Sequence, residues 1–128
     1  MAKKILIIDD DHDFIEAISM LLESKGFAVS SAFGGEEGVK KAKAEKPAVI
    51  LLDVMMSYAA EGFDVARQLS NDDATKKIPI VLITGIKKEM NLPFGFAPDE
   101  NMLPVKAVLE KPVKPQALIK VIEESISS

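Results

Sequence analysis

The sequence predicts an α/β domain, a doubly wound five-stranded parallel sheet. Three observations lead there. Short apolar, β-rich runs alternate with segments of helical period, and five such βα units can be counted along the chain. Two of the runs, Ile5 to Ile8 and Ala48 to Leu52, are continuously apolar, as strands covered on both faces must be. The length, 128 residues with 48% apolar and 28% charged side chains, is that of one ordinary domain, 1–128.

The first strand is expected over Lys3 to Ile8. Its helix sets Phe14, Ile15, Ala17, Ile18, Leu21 and Leu22 on one face and ends at Gly26. Asp11 and Asp13 suit the start of that helix as cap and first-turn carboxylates. The second strand, Phe27 to Ala32, alternates and therefore suits a sheet edge. Gly34-Gly35 opens the second helix, Glu36/Lys40 and Glu37/Lys41 stand four apart in the favourable order, and Pro47 closes it. Its lysine run reads as a solvated face. The third strand is Val49 to Leu52, the third helix runs from about Phe63 to Ser70, and the fourth and fifth strands are Ile78 to Ile83 and Val105 to Leu109. Pro93, Gly95, Pro98 and Pro104 interrupt the helical period between these last two strands, so the fourth helix is expected to be short or irregular. The fifth helix starts at Pro115 and buries Leu118, Ile119, Ile122 and Ile126.

Composition excludes several classes. With zero cysteines and one histidine the chain builds neither disulfides nor a cysteine-histidine zinc site, and a domain that can bury roughly two-thirds of its unfolded surface needs neither. A formal charge of −4 argues against direct nucleic-acid binding, which draws on clustered lysine and arginine. The longest apolar runs fall far short of the ~20 residues that cross a bilayer. Met1 to Lys4 leads straight into a strand with no signal-peptide core. The expectation is a cytoplasmic domain without membrane or nucleic-acid contact.

In a parallel sheet every strand's carboxyl end lies on the same edge. Here the first strand ends in Asp9-Asp10-Asp11, the third in Asp53, the fourth in Thr84, and the fifth leads through Leu109-Glu110 into Lys111-Pro112. Neighbouring strands lie about 4.8 Å apart, so these side chains can converge on one spot. The second strand ends in Ser31-Ala32-Phe33 and brings nothing ionic. Carboxylates gathered at one edge repel unless protons or a cation intervene. Mg²⁺ suits them, because it takes one or two carboxylates with waters and a phosphate oxygen, whereas Ca²⁺ wants more protein ligands. The Thr84 hydroxyl and Lys111 ammonium can hydrogen-bond anionic oxygens beside such an ion. Together they describe a phosphoryl site with an aspartate nucleophile. His12, the lone histidine, reads as a surface residue, since it lacks the partners of a zinc site or a charge relay.

The motifs carry a resemblance. Asp9-Asp10-Asp11 after an apolar strand and before Asp13-Phe14, Leu51-Leu52-Asp53-Val54-Met55-Met56, Glu61-Gly62-Phe63, Ile83-Thr84-Gly85 and Glu110-Lys111-Pro112-Val113 occur in order. With them the chain resembles, over essentially its whole length, the receiver domain of two-component response regulators. The resemblance implies a flavodoxin-like (βα)5 fold with strand order 2-1-3-4-5. It implies that Asp53 accepts a phosphoryl group from the phosphohistidine of a sensor histidine kinase or phosphotransfer protein. It implies that Asp10 and Asp53 bind Mg²⁺ with the backbone carbonyl of Met55, Asp9 acting largely through a water of the ion. Thr84 would move toward the phosphoryl oxygens and Lys111 would pair with them. Such a domain is a switch that promotes its own phosphorylation rather than an enzyme, and its output passes to a downstream protein target. The resemblance also allows a homodimer through the face of the fourth helix, fifth strand and fifth helix. Since the chain stops soon after the fifth helix, a stand-alone regulator is expected.

Four departures stand out. Val108 occupies a position usually aromatic in the family, Ser57 to Ala60 replace a usual proline with a slightly longer loop, and the Thr84 to Lys111 interval is longer and carries Phe94 and Phe96. Met55 and Ile86 flank the approach of a hydrolytic water and can neither orient nor deprotonate it, so slow self-dephosphorylation is expected. Two rivals use similar residues. A haloacid-dehalogenase-like, Mg²⁺-dependent phosphatase would need an acid/base aspartate where Met55 stands, and a non-phosphorylated pseudo-receiver would not need the complete acidic set.

Overall fold

The computed structural model describes residues 3–53, 61–84, 105–110 and 113–127. Along them run β1 (Lys4–Ile8), α1 (His12–Ser24), β2 (Ala28–Ala32), α2 (Gly35–Glu45), β3 (Val49–Asp53), α3 (Glu61–Ser70), β4 (Ile80–Thr84), β5 (Val105–Glu110) and α4 (Pro115–Ser127). The strands form one sheet in the order β2-β1-β3-β4-β5, every pair parallel, as the sequence predicts. The expected short or irregular helix between β4 and β5 lies outside the described residues.

The pleat sorts the continuous apolar strands onto two cores. Ile5 and Ile7 of β1, Val49 and Leu51 of β3, and Val81 and Ile83 of β4 pack with Ile15, Ile18 and Leu22 of α1 and Leu118 and Ile122 of α4. The alternate residues Leu6, Ile8, Ile50, Leu52, Ile80 and Leu82 pack with Ala42 of α2 and Val65, Ala66 and Leu69 of α3. Helices therefore cover both faces, which is what being doubly wound means physically. At the edge, β2 is only partly buried until Ala32.

Local chemistry sets the boundaries. Asp11 caps α1, its side chain accepting from the Phe14 N–H at 3.1 Å. The helix ends in a Schellman turn: Gly26 at φ 92° donates to the Glu23 carbonyl at 3.0 Å, and Phe27 donates to the Leu22 carbonyl at 3.1 Å. That second bond holds Phe27 in the turn, so β2 begins one residue later than the alternation indicates. Likewise β4 begins at Ile80 rather than Ile78, because the Ile78 N–H turns back to the Thr75 carbonyl at 3.0 Å and Pro79 has no N–H to offer.

Two expectations are corrected. Ala17 is exposed rather than part of the buried face of α1, whose deepest contacts are Ile15, Ile18 and Leu22. The lysines of α2 are not simply a solvated row. Lys40 pairs loosely with Glu36 in solvent, but Lys41 donates to the Ser31 carbonyl and Lys43 reaches Asp72 at 2.9 Å, tying α2 to β2 and to the turn after α3.

Candidate functional site

The register of the central strands builds the site. Ile8 of β1 is opposite Leu52 of β3, so the residues that follow, Asp9 and Asp53, emerge level with each other on adjacent strands. Both continue the face that carries Ile5, Ile7, Val49 and Leu51. Asp9 is 1% and Asp53 5% exposed, whereas Asp10 opens to solvent. Carboxylate oxygens of Asp9, Asp10 and Asp53 all lie within 4.8 Å of one another.

Three consecutive aspartates thus do three different things. Asp9 turns inward, its Oδ1 accepting from the Asp11 N–H at 2.9 Å while its own N–H donates to the Ala32 carbonyl at 3.0 Å. Asp10 closes the acidic cluster from the solvent side. Asp11 caps α1 and stays out of the cluster.

The donor set fits a small hard cation. Ligand oxygens around Mg²⁺ sit about 3.0 Å apart when adjacent and about 4.2 Å when opposite, given metal-oxygen distances of 2.0–2.1 Å. The three oxygens are already gathered to nearly that span. Their chemistry, all carboxylate with one ligand open to water, suits an ion that keeps part of its hydration shell.

Of the remaining sequence-derived site residues, Thr84 ends β4 one step beyond Ile83, the residue opposite Asp53, and is itself opposite Glu110 of β5. Lys111 and Met55 lie outside the described residues, as do Ile86 and the Ser57 to Ala60 and Phe94 to Phe96 segments.

One feature beside the cluster was not legible. The His12 and Phe33 rings stack with centroids 4.0 Å apart and planes 8° from parallel. The first lies two residues after Asp10 and the second directly after the end of β2, the strand end that brings nothing ionic. The available hint was that Phe33 precedes a helix whose fourth residue, where such a side chain usually finds an apolar partner, is Gly38.

A doubly wound parallel sheet with an acidic cluster at the carboxyl ends of the adjacent strands β1 and β3 defines an α/β domain with a candidate cation site at its sheet edge. The comparisons make this specific: the chain matches the response regulator receiver domain over residues 5–123 and belongs to that family. It is 34% identical over 119 residues to protein PilH of Pseudomonas aeruginosa, covering 93% of each chain. It is also 34% identical over 123 residues to the transcriptional regulatory protein PhoP of Bacillus subtilis, covering 87% of this chain but 50% of that longer protein. Among solved structures it resembles the receiver domain of a sensor histidine kinase from Pseudomonas aeruginosa with magnesium in its active-site cleft, at TM-score 0.83 and 21% identity over 100% of both chains. The domain is therefore a receiver of two-component signalling, a family whose function is phosphorylation on an aspartate, and the phosphatase reading falls away. Among the described residues, no helix is long and apolar enough to cross a membrane.

Proposed function

We propose that this receiver takes its phosphoryl group on Asp53, and that the whole of 1–128 acts as one switch unit in the cytoplasm. The observation that carries the reading is the convergence of Asp9, Asp10 and Asp53 within 4.8 Å at the strand ends. A carboxylate oxygen of Asp53 attacks the phosphorus of a phosphohistidine on a sensor kinase or phosphotransfer protein. The P–N bond breaks as the O–P bond forms, and the imidazole leaves. Asp9, Asp10 and Asp53, with the backbone carbonyl of Met55, are the residues that would hold Mg²⁺; the bound ion supplies positive charge against the phosphoryl oxygens and the crowded carboxylates. Thr84 donates its hydroxyl, and Lys111 its ammonium, to the phosphoryl oxygens.

The acyl phosphate adds charge and strong acceptors at the edge of the sheet. Thr84 and Lys111, drawn toward it, change the surface around β4 and β5, and a downstream protein reads that surface, with a homodimer through β5 and the helices beside it as one form of output. Met55 and Ile86 offer no group to activate water, so the phosphorylated state is long-lived.

The test is acetyl phosphate with Mg²⁺, followed by intact mass, on the natural chain and on Asp53→Asn. One phosphoryl adduct on the natural chain and none on the variant is the expected outcome. A natural chain that stays unmodified in both acetyl phosphate and beryllofluoride would sink the reading, and decay of the adduct within seconds would remove the claim of a long lifetime.

A further inference from the structure

The acidic loop after β1 has β3 on one side, where Asp53 stands, and the edge strand β2 on the other. On that second side a continuous set of contacts runs from α2 to the loop. Glu37 and Lys41 form an ion pair at 3.7 Å on α2. Each also grips the end of β2: Lys41 donates to the Ser31 carbonyl, and Glu37 Oε1 accepts from the Phe33 N–H at 3.0 Å. Between these anchors the Ala32 carbonyl accepts the Asp9 N–H at 3.0 Å. Phe33 then lays its ring on His12, closing a loop around Asp9, Asp10 and Asp11.

The exposure of Phe33, 44%, shows that burial alone does not hold its ring there. The helix that follows it has Gly38 at the position that would face it, and a Cβ at Gly38 would come within 2.6–2.9 Å of the Ile8 side chain. The ring is thus released from α2 and used across the gap to α1. His12, the first residue of α1, is the nearest part of that helix to the loop.

We propose that the stacked His12–Phe33 pair is a positioning clasp: it holds the Asp9–Asp11 loop in the geometry that presents the Asp9 and Asp10 carboxylates to a divalent cation. The inference rests on the proposed Mg²⁺ site but concerns residues that touch neither ion nor phosphoryl group. Either ring can be removed at little cost to the core, since both are on the surface, whereas the loop keeps only the Asp9–Ala32 backbone bond as its tether on the β2 side.

The probe is Mg²⁺ alone, titrated by calorimetry and by amide NMR into the natural chain, His12→Ala, Phe33→Ala, the double variant and His12→Phe. Either alanine variant should weaken Mg²⁺ binding about three- to tenfold, the worth of one stacked pair. The double variant should be little worse than either single one. His12→Phe, which keeps a flat ring, should bind like the natural chain, and the thermal midpoint of each variant should stay within about 5 °C. Hydrogen exchange gives a readout that needs no metal: the Asp11 amide, bonded to Asp9 Oδ1, should lose protection in both alanine variants. Unchanged Mg²⁺ affinity and Asp11 protection in the alanine variants would overturn the clasp. So would a loss of affinity in His12→Phe equal to that in His12→Ala, which would assign the effect to the imidazole instead of the stack. A natural chain that binds no Mg²⁺ removes the functional reading itself, whereas the exchange measurement still decides whether the pair tethers the loop.

Discussion

Replacing Asp10 by asparagine should make the metal-free protein more stable, although it removes a residue of the proposed cation site. Its carboxylate lies within 4.8 Å of those of Asp9 and Asp53. At that separation two unit charges repel by about 1 kcal/mol in water-like surroundings and about 3.5 kcal/mol at an effective dielectric of 20. Asp10→Asn removes both of its repulsions while keeping the shape. Because Asp10 is exposed, the lower end of that range applies to each pair, further reduced by salt. The expected gain is about 1–2 kcal/mol at low ionic strength, or about 4–8 °C in thermal midpoint for a domain of this size. Thermal unfolding followed by circular dichroism, with and without MgCl₂, reads both halves of the argument. The natural chain should rise with Mg²⁺, by about 2.7 kcal/mol at one hundred times its dissociation constant. The variant should start higher and rise less, and 1 M NaCl should shrink the difference between the metal-free proteins. A metal-free variant no more stable than the natural chain at low salt, or one that responds to Mg²⁺ equally, would refute the idea that these carboxylates crowd one cation site.

Three further outcomes follow from packing and charge. Gly38→Ala gains about 1 kcal/mol of helix propensity but drives a methyl into Ile8 at 2.6–2.9 Å, where overpacking costs typically 1–3 kcal/mol; a lower urea midpoint is expected, turning neutral or favourable in an Ile8→Ala background. Lys46 ends α2 in the left-handed region at φ 47°, so Lys46→Gly should stabilise by about 1 kcal/mol in the same assay. The hydrogen bond from Lys43, then that from the Ala74 N–H, hold the Asp72 carboxyl below the usual carboxylate value. A lowered folded-state value stabilises at neutral pH and is lost as the pH falls through it, below about 4. Carboxyl NMR titration should therefore find Asp72 titrating higher in Lys43→Met than in the natural chain.

Much of the fold was legible because its determinants are local. The continuous runs at Ile5 to Ile8 and Ala48 to Leu52 read as strands covered on both faces, and the glycines and prolines at Gly26, Gly34, Pro47 and Pro115 bound the helices where they stand. Of the candidate site, the gathering of Asp9, Asp10 and Asp53 was legible, since a parallel sheet must bring its strand ends to one edge, whereas Lys111 and Met55 lie outside the described residues. Smaller contacts were not. The run Asp9-Asp10-Asp11 does not say which carboxylate turns in, which faces solvent and which caps the helix; that follows from the Ala32 carbonyl taking the Asp9 N–H, a bond to a strand more than twenty residues away. Lys41 and Lys43 look alike in a helical charge pattern, yet one holds the end of β2 and the other reaches Asp72.

The amino-acid sequence by itself determined the alternation of strand and helix and the carriage of aspartates at strand ends, because hydrophobic period and turn chemistry act between near neighbours. Only the tertiary structure decided that Asp9 and Asp53 stand level, that their oxygens and those of Asp10 fall within 4.8 Å, and that Phe33 lies on His12. Those facts depend on the register between strands and on helices packed from opposite sides of the sheet, which no local pattern along one segment encodes.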